Sequence, residues 1–128
     1  MHRSRLAGFI FDCKDADLDD ATRFWGKALG MADLGREEGE VYTRLDASTR
    51  DLVVEVQRVD HESRVHVDIE ADDIDAEADR LERLRARRIA KVKNWWVLEA
   101  PTGQRFCVTC AKTDLTRAAG ANTWGDEA

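Results

Sequence analysis

His66 and Asp68 are the first candidates for chemistry, because an imidazole and a carboxylate two residues apart share one face of a β-strand. They lie between Ser63 and Asp73, where Val65, Val67 and Ile69 alternate with His66, Asp68 and Glu70. Strict period-two alternation of β-branched and polar residues is the pattern of a half-buried strand. One face is therefore apolar, and the other carries groups that ligate metals, move protons or accept hydrogen bonds. The Ala71-Asp72-Asp73 that follows starts a helix, so this strand opens a structural unit.

A second set of candidates lies mostly near the other end of the chain. A tryptophan in a cleft suits aromatic, sugar-like or cationic ligands, and Arg105 and Arg58 suit an anionic one. With a hairpin turning over Ala100 to Gly103 and those two residues paired, Trp96 lies opposite Cys107 and Trp95 opposite Val108. That register places Trp96 on the cleft face and Trp95 in the helix-covered core, and a slip of one residue reverses them. Cys107 and Cys110 form a Cys-x-x-Cys, but residues three apart on a strand face opposite sides, which disfavours a redox pair or zinc knuckle.

The elements that position these groups repeat. Leu6 to Cys13, with Phe9, Ile10 and Phe11, reads as a buried strand, preceded by a loose terminus at Met1 to Arg5. Asp15 to Asp20 leads into a helical stripe of Ala21, Phe24, Trp25, Ala28 and Leu29, closed by Gly30. A short strand over Met31 to Glu38, then Val41 to Leu45 and Leu52 to Val59, complete the first unit. The second starts at Val65, continues through a helix with Ile74, Ala78, Leu81 and Leu84 inward, and ends in strands at Arg88 to Val92, Asn94 to Ala100 and Arg105 to Cys110. Corresponding positions are about 57 residues apart, which indicates an internal duplication. The expected fold is α+β: two tandem βαβββ modules, about 6–59 and 65–111, forming a curled mixed sheet around a shared cleft with helices outside. Residues 1–111 are expected to form one domain and 112–128 a tail, onto whose host Trp124 is able to pack.

Composition narrows the partners. With 43% hydrophobic and 36% charged residues, 128 residues suit one globular domain. No run is apolar enough to span a bilayer and the first residues do not read as a leader, so a cytoplasmic location and no membrane partner are expected. The net charge of −6 argues against nucleic-acid binding. Arg83, Arg85, Arg87, Arg88, Lys91 and Lys93 are a basic cluster where a helix ends, which its dipole favours. Three cysteines are an odd number and are expected to be reduced.

The repeated plan, with Phe24-Trp25 and Leu29-Gly30-Met31 in the first helix and Glu99-Ala100-Pro101-Thr102-Gly103-Gln104-Arg105-Phe106 near the end, resembles the vicinal oxygen chelate superfamily. That group includes glyoxalase I, extradiol dioxygenases and bleomycin-resistance proteins, and the chain looks most like its small glyoxalase-like members. The resemblance covers Leu6 to about Ala111. It implies one metal ligand on the first and one on the last strand of each module, together polarising a substrate with adjacent oxygens. Carried over, Glu55 and His66 match two ligand positions. The other two depart from the pattern: about Gly8, which offers no ligand, and Cys107, where glutamate is usual.

Three readings of Glu55 and His66 stay open. They hold a divalent metal with Cys107, which favours zinc because thiolate is soft. Alternatively they are a metal-free base and its partner, or polar residues that satisfy one another in a binding pocket or face solvent. Trp96, Asp68 and Arg105 are the expected substrate-binding residues. The implied function is small-molecule binding at an incomplete metal site, with isomerase, lyase or dioxygenase chemistry left open. The alternative is a non-catalytic sequestering protein of the bleomycin-resistance kind, without a cofactor. A small-molecule ligand and a homodimer are the expected partners.

Overall fold

The structure, a computed structural model, describes residues 1–125; the last three residues of the 112–128 tail lie outside the described residues. Eight strands form one mixed sheet: β1 (His2–Lys14), β2 (Tyr42–Leu45), β3 (Val53–Val59), β4 (Arg64–Ala71), β5 (Arg87–Val92), β6 (Trp95–Glu99), β7 (Arg105–Cys110) and β8 (Asn122–Trp124). The order is β2-β3-β1-β4-β7-β6-β5, with β8 added to β1. The helices are α1 (Leu18–Leu29) and α2 (Ile74–Arg83). The expected α+β class with helices outside the sheet is therefore observed. Neither helix is long and apolar enough to cross a membrane.

Two compact units divide the chain. In the first, Gly8–His66, β1 runs parallel to β3, and β2 pairs antiparallel with β3. Leu18 of α1 packs with Leu45, Ala47, Val54 and Val56, with Phe11 and Trp25 against them. The helix starts where Asp17 accepts a hydrogen bond from the Asp20 amide at 3.0 Å and stops at Gly30, whose φ of 68° suits a residue without a Cβ. The strand expected over Met31 to Glu38 does not form; a single bridge, Asp33 to Leu45, remains. There Asp33 Oδ1 accepts the Gly35 amide at 2.6 Å, and Gly35 and Gly39 both adopt φ of 82°, so the chain turns instead of extending.

The second unit comprises Met1–Ala7 and the chain from Val67 onward. β4 runs parallel to β7, which pairs antiparallel with β6, and β6 with β5. Ala78 and Leu81 of α2 pack on Ala71, Leu98 and Val108. The first residues are not loose, contrary to the sequence expectation. His2 and Ser4 are buried, and β8 pairs with His2 to Ser4. His2 Nε2 lies 2.7 Å from Glu77 Oε1 of α2, and Trp124 Nε1 donates to Ser4 Oγ at 2.9 Å. Residues far apart in sequence thus supply what local pattern could not announce.

Candidate functional site

β4 carries His66 on its polar face, and the imidazole is held by a partner on β1. His66 Nδ1 lies 2.7 Å from Asp12 Oδ2, and Arg64 Nε lies 3.5 Å from the same oxygen. The Asp12 side chain is 2% exposed. A carboxylate accepts, so Nδ1 carries the proton and donates. Asp12 Oδ1 is also buried and has no hydrogen-bond partner among the described residues. Asp12 is a residue that the sequence reading missed. Its signal was present: it is the one acid in the run from Leu6 to Cys13, and a carboxylate in a buried strand requires a partner.

Two residues further along β4, Asp68 leaves the same face as His66. Its register partner on β7 is Cys107. His66, Asp68 and Cys107 each offer one ligand atom, and these atoms all lie within 4.8 Å of one another. All three side chains are half-buried. Imidazole nitrogen, carboxylate oxygen and thiolate sulfur together fit a borderline divalent transition ion better than magnesium or calcium. The Asp12 contact with His66 Nδ1 is of the kind that supports the ring of a metal-ligating histidine when the ion takes the other nitrogen.

Glu55 stands elsewhere. It lies on β3 opposite Arg44 of β2, whose Nη2 and Nε donate to Oε2 at 2.8 and 3.3 Å. Its carboxylate is thus committed to a guanidinium, and the three-residue cluster does not include it. The ligand position that the resemblance implies near Gly8 is closed by sterics. Gly8 pairs with Val53, and a Cβ at Gly8 would fall on the Val53 carbonyl.

A family profile described as a glyoxalase-like domain matches residues 8–109. The chain belongs to the glyoxalase-like domain family. Solved structures agree on the fold. The Mn(II)-bound glyoxalase from Novosphingobium aromaticivorans is 20% identical with a TM-score of 0.61, over 91% of this chain and 44% of that one. Methylmalonyl-CoA epimerase from Mycobacterium tuberculosis is 14% identical with a TM-score of 0.62, over 89% of this chain and 92% of that one. A substrate complex of homoprotocatechuate 2,3-dioxygenase from Brevibacterium fuscum is 16% identical with a TM-score of 0.58, over 85% of this chain and 37% of that one. No curated protein sequence matches the chain.

In this glyoxalase-like domain the hairpin register differs from the sequence expectation by one residue. Ala100 and Gln104 close the loop: the Ala100 amide donates to the Gln104 carbonyl and the Gly103 amide to the Ala100 carbonyl, both at 2.8 Å. Gly103 adopts φ of 94°, so Pro101, Thr102 and Gly103 form a three-residue loop of the kind that ends in a left-handed residue. Trp96 therefore pairs with Val108, and Val97 with Cys107. Trp96 packs on the α2 side, where its Nε1 donates to Asp75 Oδ1 at 2.8 Å. The expectation that Trp96 shares the Cys107 face is thus corrected, and Trp95 takes that face.

Arg105 shares the Cys107 face, two residues away on β7, and its Nε donates to Glu99 Oε2 at 3.0 Å. Glu99 also accepts from Arg87 Nη2 at 2.7 Å. The Arg87 bond foremost, with the Arg105 bond behind it, holds the Glu99 carboxyl below the usual carboxylate range. Arg105 is already balanced by an acid, so an anionic ligand would compete with Glu99 for it.

Proposed function

We propose that this glyoxalase-like domain binds a small molecule with adjacent oxygens beside a divalent transition-metal ion held by His66, Asp68 and Cys107. The observation that carries the reading is the approach of three ligand atoms of different chemistry to within 4.8 Å of one another, on a face where Asp12 fixes the His66 ring. The bound ion would act as a Lewis acid on the oxygens of the substrate. The chain's residues do the rest. Asp12 keeps the Nδ1 proton in place and holds the imidazole ring, and Arg105 meets an anionic substrate only in competition with Glu99. The thiolate and imidazole favour zinc among the candidate ions, and the proposed chemistry is that of an isomerase or lyase. Glu55, engaged by Arg44, stays outside this ligand set.

The test is metal affinity, measured by competition with a chromophoric chelator. Asp12→Asn is expected to weaken binding about 10- to 100-fold, the usual cost of losing an outer-shell partner. His66→Ala should weaken it further while the variant stays folded. Equal affinity in all three proteins would rule the reading out. A second reading, metal-free sequestration of a small molecule, is favoured by the closed position at Gly8. It predicts that ligand binding survives a strong chelator undiminished.

A further inference from the structure

Three of the four tryptophans have partners that account for them. Trp25 stacks on Phe11 with ring centroids 4.1 Å apart, Trp96 donates to Asp75, and Trp124 donates to Ser4. Trp95 is half-buried, and its indole makes no hydrogen bond or ring contact among the described residues. Its place in the sheet gives it a candidate task. Val97 pairs with Cys107, and Trp95 is two residues from Val97, so the indole leaves the sheet on the face that carries Cys107 and Asp68. Trp95 is diagonal to Cys107 across the β6–β7 pair, a separation of roughly 7–8 Å that an aromatic side chain spans. On its other side it pairs with Val92 of β5, which is 38% exposed.

We infer that Trp95, flanked by Val92 and Val97, is the wall that binds an aromatic part of the substrate, and so sets specificity for ligands that carry a ring next to their oxygen pair. The inference rests on the proposed ligand cluster for the orientation of the oxygens, but not for the wall itself. An indole face and two valines offer a planar apolar surface with no hydrogen-bonding demand, which suits ring stacking and selects weakly among substituents. The α2-facing Trp96 is excluded from this role because Asp75, Arg88 and Lys91 already surround its ring.

Two hydroxamates separate the parts, since both present adjacent oxygens and only benzohydroxamate carries a ring. Each is titrated into the zinc-loaded full chain and, separately, with excess chelator present, for wild type, Trp95→Ala, Trp95→Phe and Trp96→Phe. Benzohydroxamate is expected to bind wild type at least about tenfold tighter than acetohydroxamate. Trp95→Ala should reduce that ratio to about twofold without changing acetohydroxamate binding, while Trp95→Phe and Trp96→Phe keep it. If chelator abolishes acetohydroxamate binding but spares Trp95-dependent binding of benzohydroxamate, both cluster and wall stand. If acetohydroxamate never binds and benzohydroxamate still needs Trp95, the wall stands and the metal reading fails. A ratio unchanged in Trp95→Ala, or no binding of either probe under any condition, overturns the inference.

Discussion

Replacing Gly8 by alanine is expected to destabilise the chain by about 3 kcal/mol, the upper part of the range for forcing a methyl group into a packed site. The clash is with backbone: a Cβ at Gly8 meets the carbonyl of Val53, its register partner on β3. A flexible side chain could rotate away, but a strand carbonyl moves only if the β1–β3 ladder moves with it. The measurement is the urea midpoint of Gly8→Ala against wild type, and a loss below about 1 kcal/mol would contradict the steric argument. The functional consequence is as sharp. Gly8→His, made to supply the first-strand ligand that the resemblance implies, should weaken the fold without improving metal affinity.

Glu77→Ala is the second large effect, with an expected loss of about 3–5 kcal/mol from breaking a buried ion pair. Glu77 is fully buried and accepts from Arg80 Nε and Nη2, both at 2.8 Å, and lies 2.7 Å from His2 Nε2. Burial by itself pushes the Glu77 carboxyl up, but Arg80, His2 and Ser4 together outweigh it and hold the group below its ordinary value. The folded-state value therefore lies under the unfolded one. The stabilisation is present above the unfolded carboxyl range near pH ~4.3 and is lost as pH falls through the lower folded value. Wild type should lose stability steeply in acid, and Glu77→Ala should start lower and fall less. Parallel curves for the two proteins would show that Glu77 is not the group responsible. The same substitution should loosen β8, because Arg80 lies 3.9 Å from the centre of the Trp124 ring.

The sequence displayed whatever depends on near neighbours. Asp17 and Gly30 bracket α1, and Asp73 caps α2 by accepting the Ala76 amide at 3.0 Å; these signals lie within a few residues of the ends they mark. The alternation around His66 likewise announced β4 and the shared face of His66 and Asp68. What stayed hidden depends on distant partners or on one-residue geometry. The anchoring of His2 and Ser4 relies on Glu77 and Trp124, 75 and 120 positions away. The Trp95 and Trp96 faces turned on whether Gly103 or Gln104 closes a hairpin, a choice made by the left-handed backbone at Gly103. Asp12 was passed over because the run around it is otherwise apolar, although that contrast was itself the clue. Glu55 matched a family ligand position, but its partner Arg44 lies on another strand and is paired to it only by the β2–β3 register.

The central claim is that His66, Asp68 and Cys107 share one ion, and cobalt(II) titration of the metal-free chain tests it most directly. A thiolate ligand gives bound cobalt a near-ultraviolet charge-transfer band, and imidazole and carboxylate complete its visible spectrum. The expected result is a charge-transfer band that saturates at one equivalent, disappears in Cys107→Ser while weaker visible bands persist, and is displaced by zinc. Saturating cobalt that produces no thiolate band in the wild type, or one that is unchanged in Cys107→Ser, would contradict the account.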